Sequence, residues 1–80
     1  MQRHFDEATN TAIITFTDCK HWIGLYKELQ TACKLPKPKR TKYGYRGEKK
    51  YKSREAYREM CRQWAKISGE YHSKLKHIDL

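Results

Sequence analysis

Residues 11–35 read TAIITFTDCKHWIGLYKELQTACKL, and the spacing of their apolar residues changes part way along. From Thr11 to Thr17, Ala12, Ile14 and Phe16 fall on one side and Ile13, Thr15 and Thr17 on the other. That two-residue repeat is the mark of a strand with one dry face. Beyond it Trp22, Leu25, Tyr26, Leu29, Ala32 and Cys33 recur at helical spacing and make a single stripe. A helix is therefore expected over 18–35. Thr17 or Asp18 is expected to cap it, with Asp18 also suiting its positive end. Gly24 weakens this helix slightly and would let another element come close. Pro36 and Pro38 forbid its continuation.

Working toward the N-terminus, His4-Phe5-Asp6-Glu7 reads as a short strand and Ala8-Thr9-Asn10 as a turn, because Asn tolerates left-handed backbone. Residues 1–17 are thus expected to form a β-hairpin.

The longest periodic segment is 53–78. Ser53 is a good N-cap and Glu55 complements the first turn. Tyr57, Met60, Cys61, Trp64, Ile67, Ser68, Tyr71, Leu75 and Ile78 form an apolar stripe along the whole segment. The stripe stays in phase through Ser68-Gly69, so a continuous helix is expected there. Arg54, Arg58, Arg62 and Lys66 line another face at four-residue spacing, with Glu59 placed to partner Arg62 and Glu70 to partner Lys74.

Residues 36–52, PKPKRTKYGYRGEKKYK, have no helical stripe. Two readings stand: a second hairpin, with Tyr43 and Tyr45 before an Arg46-Gly47 turn and Tyr51 after it, or a long mobile loop extended by like-charge repulsion. The fold class is α+β: one small domain with an N-terminal β-hairpin packed on two amphipathic helices joined by a long basic segment. The helices are expected to pack antiparallel, with Trp22, Leu25, Tyr26 and Leu29 against Tyr57, Met60, Cys61 and Trp64.

Composition narrows the function. The chain has 80 residues, so one domain is expected, and six Tyr, two Trp and two Phe supply packing material that disordered chains lack. A chain this short hides a modest share of its surface, and a homodimer would add core. Lys and Arg number 18 against 9 Asp and Glu, a formal charge of +9. Such an excess attracts polyanions: nucleic acid, an anionic membrane surface or an acidic protein face. The apolar stripe of the last helix carries Tyr, Cys and Ser, which suit a protein core better than lipid, so no membrane role is expected. Cys19, Cys33 and Cys61 are an odd count behind a polar N-terminus, which points to reduced thiols and a cytoplasmic location.

The central segment carries the clearest functional signal. Eight of the 18 basic residues lie in it. Interleaved cations and tyrosines can track a phosphate backbone and stack on bases. The candidate nucleic-acid-binding set is Lys37, Lys39, Arg40, Lys42, Tyr43, Tyr45, Arg46, Lys49, Lys50, Tyr51 and Lys52. Arg54, Arg58, Arg62 and Lys66 join it as a ridge of like charges that is easier to understand if it meets an anion. The rival is a small phage-type accessory or inhibitor protein that docks on an acidic face of a nucleic-acid-processing or defence enzyme.

Catalysis finds no motif: no GxSxG, no Gly-rich phosphate loop, no HExxH. Cys19, His21, Cys33, Cys61, His72 and His77 could each ligate a metal, but structural zinc sites use two closely spaced pairs and only Cys19-x-His21 is close. Neither enzyme activity, cofactor nor metal is expected. The order strand, helix, loop, helix is also that of ribbon-helix-helix DNA binders. Their inter-helix loop is short, however, and TAIITFT lacks the polar base-reading residues of their ribbon, so no family is assigned.

Overall fold

The structure, a computed structural model, describes the backbone of residues 1–78 and the side chains of residues 1–75. Alternation decides which side of each strand is dry. β1 (Gln2–Asp6) and β2 (Thr11–Thr17) form the expected antiparallel hairpin, with Phe5 opposite Ala12 and Arg3 opposite Ile14. Ala12, Ile14 and Phe16 are buried. Asn10 takes the left-handed conformation at φ 52°, and the Asp6 carboxylate accepts from the Ala8 amide at 3.1 Å, so the turn is held by its own residues.

Of the two readings of 36–52, the hairpin is the one that forms, and its turn is not where the sequence pointed. β3 (Lys39–Thr41) and β4 (Gly44–Lys50) pair across a turn at Lys42-Tyr43, while Arg46-Gly47 lies inside β4. Both glycines answer to packing. Gly44 has φ 149°, and a Cβ there would run into the Phe16 carbonyl oxygen. At Gly47 a Cβ would strike the Tyr26 hydroxyl. β4 also pairs with β2 over seven residues, from Thr11 opposite Lys50 to Thr17 opposite Gly44. The result is one antiparallel sheet in the order β1-β2-β4-β3. The segment is therefore not a long loop between helices, because it supplies half the strands of the sheet.

Helix α1 (Lys20–Cys33) starts two residues later than expected. Its N-cap is Cys19, which makes no side-chain cap bond, and neither Thr17 nor Asp18 serves. Asp18 instead pairs with Arg40 at 2.6 Å, fastening the helix entrance to β3. Lys34 ends the helix in the left-handed conformation at φ 54°, and the buried Leu35 closes that end. Helix α2 (Arg54–Ile78) runs unbroken through Ser68-Gly69. Ser53 Oγ accepts from the Ala56 amide at 3.2 Å, a cap that contributes about 1 kcal/mol. Ile78 as a stripe residue and His77 as a ligand lie outside the described side chains.

Both helices cover the same side of the sheet. The Phe16 ring stacks on Tyr26 at 4.8 Å and Phe5 on Tyr57 at 4.5 Å, while the Arg3 guanidinium sits 5.0 Å from the Trp64 ring centre. Leu25, Leu29, Met60 and Trp64 fill the layer between, Trp64 at 8% exposure. The helix pairing extends beyond the expected residues. His21 lies beside His72, Gly24 under Tyr71, and Glu28 bonds Lys74. α1 thus meets α2 from Trp64, which lines one cavity with Trp22 and Leu25 as expected, to Lys74, while Tyr57 packs on Phe5 and Tyr51. Lys74 likewise pairs with Glu28 rather than Glu70.

Candidate nucleic-acid interface

Charge is unevenly placed along the chain. Residues 36–52 hold eight cations and one acid, a net +7, whereas the remaining ten cations and eight acids net +2. The second hairpin and its flanks therefore set the field of the molecule. Five of the eight cations, Lys39, Arg40, Arg46, Lys49 and Lys50, are carried by paired backbone, because β4 is clamped between β2 and β3; Lys42 sits in the turn between β3 and β4.

The hairpin sorts its side chains by the two-residue period. On the side away from the helices, Lys39, Arg46 and Lys50 are exposed. Arg46 donates from Nε to Glu48 at 2.9 Å. On the helix side, Tyr45 is half-buried against Phe16, with 5.3 Å between ring centres. Arg40 donates to the Tyr45 hydroxyl at 2.9 Å and lies over its ring. The bonds to Tyr45 and to Asp18 raise the Arg40 pKa further and fix this cation in place. Lys49 is half-buried, and its Nζ donates to the Cys33 carbonyl at 3.0 Å. Tyr51 is half-buried near the Tyr57 ring, and burial pushes its hydroxyl up to about 12. Lys37 and Lys52 are exposed in the flanking connections.

Two of the three tyrosines expected to stack on bases are therefore committed elsewhere. Tyr45 packs on Phe16 and Tyr51 on Tyr57, so both rings are turned toward the helices. Tyr43 alone of the three stands free, 80% exposed at the hairpin tip, with Lys42 Nζ 5.6 Å from its ring centre.

The helix ridge is exposed as expected. A row at i, i+4 creeps about 40° around the helix at each step. Arg54 consequently flanks the buried stripe and pairs with Glu7 in the β1–β2 turn, whereas Arg62 and Lys66 point away from the sheet. Arg62 pairs with Glu59. α2 packs on β1 through Phe5 and Arg3, and β3 is the opposite edge. Ridge and hairpin thus do not merge into one surface; they occupy different layers and different edges.

Sequence reasoning missed the outer face of the first hairpin. Gln2, His4 and Thr15 lie on the same side of the sheet as Arg46 and Lys39. The signal was present in the Thr-bearing side of TAIITFT, read only as the side opposite the core.

Among the described residues no three His, Cys, Asp or Glu side chains are grouped to hold a metal ion, and no helix is long and apolar enough to cross a membrane. Comparison of the chain with protein-family models, with curated proteins and with solved structures gave no match.

Proposed function

We propose that this chain is a non-enzymatic nucleic-acid-binding protein whose contact surface centres on the β3–β4 hairpin. The observation that carries the reading is the net +7 of residues 36–52, of which five cations and one acid (Lys39, Arg40, Arg46, Lys49, Lys50 and Glu48) lie on paired strands. Lys37, Lys39, Lys42, Lys50 and Lys52 are exposed there and have no ion-pair partner among the described residues. Cations left without carboxylates are the ones available to displace counterions from phosphate, and that release supplies most of the affinity in such complexes. The helix ridge adds to the long-range field rather than to the contact.

A second reading keeps a specific observation of its own. Tyr43, 80% exposed beside Lys42, is the kind of aromatic anchor that a protein interface buries at its centre. An accessory or inhibitory protein docking on an acidic enzyme face would use the same hairpin.

Immobilised protein exposed to cell lysate separates the two. Retention of nucleic acid that nuclease or high salt releases is the expected result. A single protein held after nuclease treatment and at high salt, with no nucleic acid retained, would replace the first reading by the second.

A further inference from the structure

One row of polar side chains crosses the whole sheet. Gln2 stands opposite Thr15, Thr15 opposite Arg46, and Arg46 opposite Lys39, one residue from each strand on the side no helix covers. Resting on the nucleic-acid reading above, we infer that this open face is the contact surface and that its ligand is the major groove of duplex DNA.

The chemistry of the face selects the duplex over a single strand. Unpaired strands are held by stacking on aromatic platforms. Here the strand aromatics Phe5, Phe16 and Tyr45 all turn to the helices, and the exposed Tyr43 ring at the hairpin tip is one ring rather than a platform. The open face offers hydrogen-bonding groups and methyls instead. Arginine and lysine match guanine O6 and N7, glutamine matches adenine N6 and N7, and a threonine methyl meets the thymine methyl.

Dimensions agree. Neighbouring strands lie about 4.8 Å apart, so the outward side chains of β2 and β4, the two central strands, fall within the width of a groove about 12 Å wide. Thr15 and Arg46 then address base edges. Gln2 and Lys39, about 14 Å apart across four strands, fall toward the two phosphate walls. The major groove of A-form RNA is too narrow for such a ribbon. Two acids share the face. Glu48 is held by Arg46 at 2.9 Å, and Asp6 is engaged by the Ala8 amide in the row beside Lys50, away from the Gln2-to-Lys39 row.

A matched pair of substitutions tests the location. Thr15→Glu puts a negative charge at the centre of the open face; Gln63→Glu puts the same charge on the exposed side of α2. Net charge changes equally, so only position differs. Binding is read on a mixed-sequence DNA duplex of about two helical turns, on an RNA duplex and on a single DNA strand of the same sequence. Duplex DNA should bind tightest. Thr15→Glu should weaken it roughly tenfold or more, while Gln63→Glu stays close to the parent. Circular dichroism checks folding, and Gln2→Glu on the edge strand repeats the test where the sheet tolerates change more easily.

Dimethyl sulfate supplies a measurement that needs no variant. Guanine N7 in the major groove should be protected and adenine N3 in the minor groove should not. Tighter binding of single strand or RNA, equal effects of the two glutamates, or protection of adenine N3 alone would overturn the inference and leave the nucleic-acid reading standing. No binding to any of the three would overturn that reading itself.

Discussion

Lys49 Nζ donates to the Cys33 carbonyl at 3.0 Å, so a lysine from the most basic stretch of the chain ties β4 to the last turn of α1. A carbonyl at a helix end lacks an intrahelical donor, and a cation there also meets the negative end of the helix dipole. Lys49 is thus structural while its neighbour Lys50 is exposed and has no ion-pair partner among the described residues. Lys49→Ala should lower stability by about 1–2 kcal/mol and Lys50→Ala by almost nothing, measured by urea unfolding. Equal midpoints for the two would contradict this division.

The glycines rank by what a methyl group would meet. Gly44→Ala should be the most damaging, because backbone at φ 149° and the Phe16 carbonyl both oppose it. Gly47→Ala should cost about 1–3 kcal/mol by displacing the Tyr26 hydroxyl from its 2.7 Å bond to the Pro36 carbonyl. Gly24→Ala meets only the end of the half-exposed Tyr71 side chain. Its helix gains up to about 1 kcal/mol from the better former, so the change should be near neutral. Thermal unfolding of the three variants should give that order; a Gly24→Ala loss as large as that at Gly47 would break it.

Much of this architecture is legible in the sequence because hydrophobic pattern and fold agree. Ala12, Ile14 and Phe16 mark the inner face of β2, and Met60 and Trp64 mark the buried side of α2. β4 is hidden for a physical reason. Its inward positions are Tyr45, Gly47 and Lys49, of which one is small and one charged, so GYRGEKK shows no apolar alternation. Gly47 looks like a turn residue but makes room for Tyr26. Tyrosine is ambiguous in the same way, since one ring can stack on a base or on Phe16, and only the sheet register decides between them. The Arg54-to-Lys66 ridge is correctly read as exposed, yet its layer is a tertiary property that spacing along one helix does not contain.

The buried Tyr26 and the half-buried Tyr51 respond oppositely to loss of the hydroxyl. Tyr26 donates to Pro36, whereas the enclosed Tyr51 hydroxyl has no partner among the described residues. Tyr26→Phe should cost about 1 kcal/mol, and Tyr51→Phe should cost nothing or stabilise. Burial pushes both up to about 12 from 10.0. The folded state therefore holds these protons more tightly than the unfolded chain. Their contribution is complete below pH 10.0 and is lost as pH rises through about 12. An alkaline titration followed by tyrosinate absorbance should show unfolding accompanying ionisation in that window. Unfolding complete before any tyrosinate forms would contradict it.

The thiols should react in order of exposure. Cys19 is exposed, Cys61 half-buried and Cys33 buried, and burial pushes the Cys33 thiol up despite the nearby Lys49. Only thiolate attacks a labelling reagent. Native protein should therefore label rapidly at Cys19, with Cys33 reacting only on unfolding. Rapid native labelling at Cys33, or a disulfide in the mass, would show that α1 does not seat as described.

On the proposed function the hairpin face, not the helix ridge, meets phosphate. Its most direct test is the salt dependence of binding to duplex DNA. Each phosphate-contacting cation contributes about −0.9 to the slope of log K against log salt. The parent protein should give a steep linear fall. Replacing Lys39, Lys42 and Lys50 with Gln should weaken binding and flatten the slope. Arg58→Gln with Arg62→Gln should leave the slope nearly unchanged, because those side chains belong to the other layer. A slope flattened by the helix pair and untouched by the hairpin triple would place the phosphate contact on α2, and no binding at the lowest salt would remove nucleic acid as the partner.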